Sequence, residues 1–216
     1  MDLIVKSALI AVILILIAAG AFILLQKSTQ HQLTSNDAVS LVISDLQSKN
    51  PNATITLVSL SNSTIQKNSW NIVVSVVYNA TRPCPTLLIE DFDYPATGLS
   101  PSTENIYTTK CELLNYASGA PSYVISSPEL AIVNSYDSNY SIIKSFVNNY
   151  GYNNTNVYAR FFQNLQSNYT HLGANYSNIW LVEYTSNMAN HSAYVLMSQS
   201  GKVLGTYNAS PSSRLQ

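Results

Sequence analysis

Charged side chains are scarce in this sequence: Asp, Glu, Lys and Arg make up 10% of 216 residues, against about a quarter in ordinary globular domains. The ten basic residues scatter between Lys6 and Arg214, and the formal net charge is −1. Binding to nucleic acid needs a Lys or Arg for each phosphate contacted, gathered into a stripe. No such stripe exists, which argues against nucleic acid as a partner. Cysteine occurs only at Cys84 and Cys111, without CxxC spacing, and His31, His171 and His191 do not cluster with them; zinc-site spacing is absent. Glycine numbers seven, and none falls in a G-x-G-x-x-G, Walker or G-x-S-x-G pattern; H-E-x-x-H is also missing. No cofactor, metal or catalytic residue is therefore expected.

What is plentiful is neutral polarity and apolar surface. Ser, Thr, Asn and 15 Tyr supply the polar groups, while apolar residues reach 46%, enough for a core. Such composition argues against global disorder. A surface solvated by hydroxyls and amides hardly changes charge with pH, which fits either exposure to acid or high salt or a plain bias towards Ser and Asn.

One long apolar run stands out. Leu3 to Leu25 reads LIVKSALIAVILILIAAGAFILL, with no charge after Lys6. Twenty-three helical residues span roughly 34 Å, enough to cross a hydrocarbon layer of about 30 Å. A helix is required there because backbone in lipid must satisfy its own hydrogen bonds. Residues 1–26 are read as a transmembrane anchor, with the bilayer contacted through residues 3–25, and residues 27–35 as a tether. A cleaved secretory signal is the competing fate, since Ala18, Ala19, Gly20 and Ala21 offer small residues, but Phe22 to Leu25 prolong the apolar run. The short basic leader and long apolar helix, VKSALIAVILILIAAGAF, also resemble the N-termini of archaeal type IV pilins. That resemblance implies a surface filament subunit as the alternative function.

Nine Asn-X-Ser/Thr sequons begin at Asn52, Asn62, Asn79, Asn139, Asn153, Asn168, Asn175, Asn190 and Asn208. With 23 Asn and about a fifth of residues Ser or Thr, chance supplies roughly five. The excess points to a glycosylated exterior. Two cysteines 27 positions apart point the same way, because a Cys84–Cys111 disulfide is the natural state outside the cytoplasm. The expected topology is a single-pass protein of the cell membrane, N-terminus cytoplasmic and bulk extracytoplasmic.

The exterior is expected to be α+β. Asn36 offers an N-cap, and Val39, Val42, Ile43 and Leu46 form a one-sided stripe ended by Pro51. Ala53 to Leu60, Trp70 to Tyr78, Thr86 to Phe92, Ile106 to Leu114 and Ser122 to Ser126 read as strands, with a loop from Pro95 to Glu104. Ser127-Pro128-Glu129 is a helix-start signal. Asp137 to Tyr150 then reads as a helix stopped by Gly151. Asn156 to Phe162, Ile179 to Thr185, Ala193 to Ser198 and Lys202 to Tyr207 read as strands, the last two turning at Gly201. The order of helix and Trp-led strand thus occurs twice. It defines a first half over 36–126 with a Cys-bounded insertion, a second over 127–208, and a tail over 209–216.

In the second half, Ile142 to Val147, then Trp180-Leu181-Val182, Ala193-Tyr194-Val195-Leu196 and Ser200-Gly201-Lys202-Val203 resemble a PepSY-like (cystatin-like) module. Asp37 to Tyr78 resembles its opening. The resemblance implies a helix laid on an antiparallel sheet in each half, and a non-enzymatic role in binding an envelope protein or peptide. The insertion from Cys84 to Cys111, and Ser198-Gln199-Ser200 where acidic residues commonly precede the turn, depart from that pattern and leave an inhibitory role unsupported.

Three further groups invite chemistry. Glu90, Asp91 and Asp93 form the one acidic cluster, but the spacing lacks the Gly and terminal Glu of an EF-hand loop, and a solvated strand end is expected. Ser141-Ile142-Ile143-Lys144 matches S-x-x-K, yet the S-D-N and K-T-G partners are absent. Tyr136, Tyr140, Tyr150, Tyr152, Tyr158, Tyr169 and Tyr176 offer either an aromatic binding surface or the rim of a β core.

Overall fold

A computed structural model of the chain describes residues 33–114, 124–137, 141–167 and 173–210. The chain divides into two compact units, Met1–Ala38 and Val39–Gln216. The expected anchor (1–26), most of the tether and of the tail, and Asn139 and Asn168 lie outside the described residues, as do His31, His171, Tyr140 and Tyr169. Among the described residues no helix is long and apolar enough to cross a membrane.

In the first unit, residues 33–38 carry the opening of helix α1 (Ser35–Lys49). Its cap is Thr34 rather than Asn36. The Asp37 backbone N–H donates to Thr34 Oγ1 at 3.2 Å, while Asp37 Oδ2 accepts the Thr34 N–H at 3.0 Å and its hydroxyl at 2.7 Å. This reciprocal arrangement needs an acceptor three residues after the cap. Thr34 has Asp37 there, whereas Asn36 has Val39.

In the second unit the rest of α1 buries Val42 and Leu46. Five antiparallel strands follow in the order β1-β2-β3-β4-β5: Ala53–Asn62, Trp70–Tyr78, Thr86–Tyr94, Thr103–Thr109 and Glu112–Leu113. The register sets Ile72 opposite Phe92 and Val76 opposite Leu88. Ile72, Val74, Val76 and Phe92 are buried on one face, as the β-branched alternation predicts. The opposite face contributes Val77 and Leu87 to a different cluster.

Helix α2 (Pro128–Asp137) starts where Ser127-Pro128-Glu129 places it, and the Leu130 N–H donates to Ser127 Oγ at 3.3 Å. The helix expected over Asp137 to Tyr150 is α3 (Ser141–Tyr150), because Asp137 closes α2. Gly151, with φ 83°, stops α3 as predicted. A four-stranded meander completes the chain: β6 (Asn156–Leu165), β7 (Tyr176–Thr185), β8 (Ser192–Ser198) and β9 (Val203–Ala209). Gly201, φ 78°, makes the β8–β9 turn, with its N–H on the Ser198 carbonyl at 3.0 Å. The fold class is mixed α+β, with two antiparallel sheets.

The two sheets share one core. Val77 and Leu87 of the first pack in a single cluster with Ile132 of α2, Phe146 of α3, and Val157, Val182, Tyr184, Val195 and Met197 of the second. Each such side chain removed from water stabilises by about 1.5–3 kcal/mol, whereas the ion pair Lys49–Asp45 is an i,i+4 surface pair of small value. Burial, not charge, holds this domain together.

Two expected strands change character. Ile106 to Leu114 is a hairpin, β4 and β5, because Lys110 and Cys111 adopt φ of 50° and 65°. Non-glycine residues seldom enter that region, and this turn carries no glycine to mark it. Ser122 to Ser126 is no strand in its described part, residues 124–126. Ile125 instead donates its N–H to the Gln199 carbonyl and is 1% exposed.

Candidate interaction surface

Strand β1 is the free edge of the first sheet. It pairs only with β2, and seven consecutive residues, Thr56 to Asn62, are exposed. Ala53–Asn62 carries no charge and no proline, the two side-chain devices by which natural edges resist pairing. Its one protection is a bulge between Leu57 and Ser59. Leu57, Val58 and Leu60 are 38%, 56% and 38% exposed, and Ile65 beyond the strand is 64% exposed. The result is a strand whose outward-facing backbone groups, at alternate residues beyond Ala53, meet no neighbouring strand and are flanked by exposed apolar side chains. Chemically it can accept a further strand.

The Cys84–Cys111 disulfide is formed. The segment it bounds is not an appendage, since β3 and β4 lie within it and Leu87 is buried in the core. Its protruding parts are the turn at residues 95–102 and the exposed side chains of Thr103 to Ile106.

The acidic cluster splits across the sheet. Asp91 and Asp93 share a face, as alternation requires, and Glu90 points to the other. Asp93 is buried and accepts from Ser63 Oγ at 2.6 Å and Ser102 Oγ at 3.1 Å; Asp91 accepts from Asn71 Nδ2 at 2.6 Å. Glu90 is buried as well. Burial raises its pKa first, the neighbouring Glu104 raises it further, and Lys49 offsets part of the rise. Two of the three carboxyls are thus buried rather than solvated. The hydroxyls on Asp93 pin the β1–β2 and β3–β4 connections and the Asn71 amide ties Asp91 to β2, and among the described residues no group of three or more His, Cys, Asp or Glu could hold a metal ion.

Comparison with protein-family models, with curated proteins and with solved structures finds no match.

Ser141 is exposed at the first residue of α3, with Lys144 one turn on. The tyrosines do not form one surface. Tyr158 is 52% exposed on β6, while Tyr150 lies against Phe146 and His191 with ring centroids 4.8 and 6.2 Å away. The most constrained tyrosines lie elsewhere. Tyr184 is fully buried with its hydroxyl 2.7 Å from Ser135 Oγ, and burial pushes its pKa up. Tyr194 stacks on Tyr207 at 4.9 Å and donates to Glu183 Oε1 at 3.0 Å. Burial, then the Glu183 charge, pushes the Tyr207 hydroxyl up to about 12. Their alternation along β7, β8 and β9 was the available signal.

The described sequon asparagines, Asn52, Asn62, Asn79, Asn153, Asn175, Asn190 and Asn208, are all exposed. Asn52 and Asn62 bracket β1 at its two ends. Sequence reasoning passed over Arg82, which joins the two halves: its Nη1 donates to the Asn153 carbonyl at 2.6 Å and, at 3.3 Å each, to the Thr155 carbonyl and Asn156 Oδ1.

Proposed function

We propose that this chain is a membrane-anchored, extracytoplasmic, non-enzymatic protein that binds an envelope protein or peptide by adding a partner strand to β1. The bare edge carries the reading: ten residues without charge or proline, with Leu57, Val58 and Leu60 exposed beside the open backbone. Backbone pairing supplies affinity in such a mode and the alternating side chains supply selectivity. The apolar run from Leu3 to Leu25, the Cys84–Cys111 bridge and the exposed sequons support placement outside the cytoplasm. Sugars on Asn52 and Asn62 would leave the middle of β1 as the accessible stretch. A helix preceding an antiparallel sheet in each half is what a PepSY-like, cystatin-like module would have, and binding without catalysis follows from that likeness.

A photo-crosslinking residue at Val58 tests the proposal, with Val124, equally exposed at 56%, as control. In native membranes Val58 should yield a discrete adduct that Val124 does not, and Leu57→Lys with Leu60→Lys should abolish it. Equal labelling at both sites contradicts the reading. The filament-subunit alternative draws on Leu3 to Leu25 and predicts a mature N-terminus at Ser7 or Ala8.

A further inference from the structure

A second recognition feature lies away from β1, where the two halves meet. Arg82, Asn153, Asn154, Asn156, Ser186 and Asn187, with Met188 at the rim, line a polar pocket of about 210 Å³. No acidic side chain lines it. We propose that this pocket binds a carboxylate, with the Arg82 guanidinium as its anchor.

The argument starts from the donors. A guanidinium carries five N–H groups in a planar fork. In Arg82 only Nη1 is engaged by protein, through the Asn153 and Thr155 carbonyls and Asn156 Oδ1. The Nε–H and both Nη2 N–H groups have no protein partner among the described residues, and that edge is the one that meets two carboxylate oxygens side-on. Asn156 has its Oδ1 committed to Arg82, which leaves its Nδ2 to donate. Asn153 and Asn187 add amides to the wall. The lining is therefore rich in donors, carries a single positive charge and lacks a carboxylate of its own.

Charge count selects the ligand class. One guanidinium among neutral amides balances one negative charge, which a carboxylate carries and a phosphate dianion exceeds. The cation is also held in place before any ligand arrives. Three acceptors fix Nη1, and the Val157 N–H donates to the Thr81 carbonyl at 2.9 Å, joining the β2–β3 turn to β6. Binding then loses little side-chain freedom. A polypeptide C-terminus and a sugar acid share the required chemistry.

The chain has three arginines, Arg82, Arg160 and Arg214, so ¹⁵N-arginine labelling of the full chain in detergent micelles gives three Nε–H signals, assigned with Arg82→Lys and Arg160→Lys. Protein verified by mass to carry no sugar at Asn153 is titrated with sodium acetate at constant ionic strength. The expected result is a saturating shift of the Arg82 signal alone, at millimolar acetate. N-acetyl-diglycine, its C-terminal amide and glucuronate then distinguish the sources: tighter binding of the peptide acid than of its amide and of glucuronate identifies a chain terminus, and the reverse order a sugar acid. Arg82→Lys keeps the charge but loses the fork. Asn187→Asp leaves Arg82 and its contacts in place while adding a competing negative charge. Each should weaken acetate by about tenfold or more, read for Arg82→Lys from the pocket's backbone amides. Should Arg82→Lys fail to fold, Asn187→Asp decides. An Arg82 shift that fails to saturate, or matches those of Arg160 and Arg214, overturns the proposal, as does unchanged binding in Asn187→Asp.

Discussion

The indole Nε1 of Trp180 donates to the Ile125 carbonyl oxygen across 2.9 Å in the buried interior. Through this bond β7 holds the segment that leads into α2, and the Ile125 N–H closes the same junction on Gln199. Trp180→Phe would leave a buried carbonyl without its donor. That loss costs about 1–3 kcal/mol, and urea unfolding should show a lower midpoint with little change in slope.

Tyr184 and Ser135 make a second buried polar pair, linking β7 to α2 at 2.7 Å. Both hydroxyls also meet the Ile132 carbonyl, Ser135 Oγ at 2.8 Å and Tyr184 Oη at 3.4 Å, so removing one partner breaks the shared bond without leaving the other hydroxyl unpaired. Tyr184→Phe and Ser135→Ala should each destabilise by about 1 kcal/mol, and the double variant by less than their sum, because either single change already removes the shared bond. A double-mutant cycle by thermal or chemical unfolding checks this.

The Cys84–Cys111 bridge closes a segment with a sequence separation of 27. In the chain-entropy model that loop contributes about 3–4 kcal/mol. The Cys84→Ser, Cys111→Ser variant should lose stability of that order while keeping its far-UV circular dichroism at low temperature. Exchange of β3 and β4 amides, measured by hydrogen–deuterium exchange, should rise most.

Glu90 sets a pH dependence of defined sign. Its folded-state pKa is raised, first by burial and then by Glu104, so between the unfolded value, near 4.5, and the raised folded value the native state holds more protons. Stability therefore falls as pH rises through that window. Glu90 also stands directly opposite Glu104 across β3 and β4. Like charges in that position cost about 0.2–1 kcal/mol. Glu90→Gln should flatten the acid limb of the stability–pH curve and raise stability at neutral pH by that amount.

Much of the fold was legible in the sequence, for physical reasons. Trp70–Tyr78 was read with both ends correct, because β-branched residues fill that strand and turn residues bound it. Ser127 and Gly151 marked helix boundaries through local hydrogen bonding and permissive φ. The misses have two causes. The Thr34 cap rests on a local pairing, with Asp37 three residues on, that outweighs the intrinsic capping preference of Asn36; the others are set from a distance. The hairpin at Lys110 and Cys111 was hidden because the disulfide fastens a turn that lacks glycine. At the interaction surface, alternation placed β1 but could not show that it ends the sheet, and nothing local to Arg82 reveals partners more than 70 residues away.

The edge role of β1 is tested most directly by hydrogen–deuterium exchange of residues 53–62, compared between native membranes and purified protein in detergent. Alternate amides of β1, those facing away from β2, should exchange more slowly in the membranes, where a partner strand covers them. Exchange at the same rate in both preparations, along the whole strand, would contradict the account.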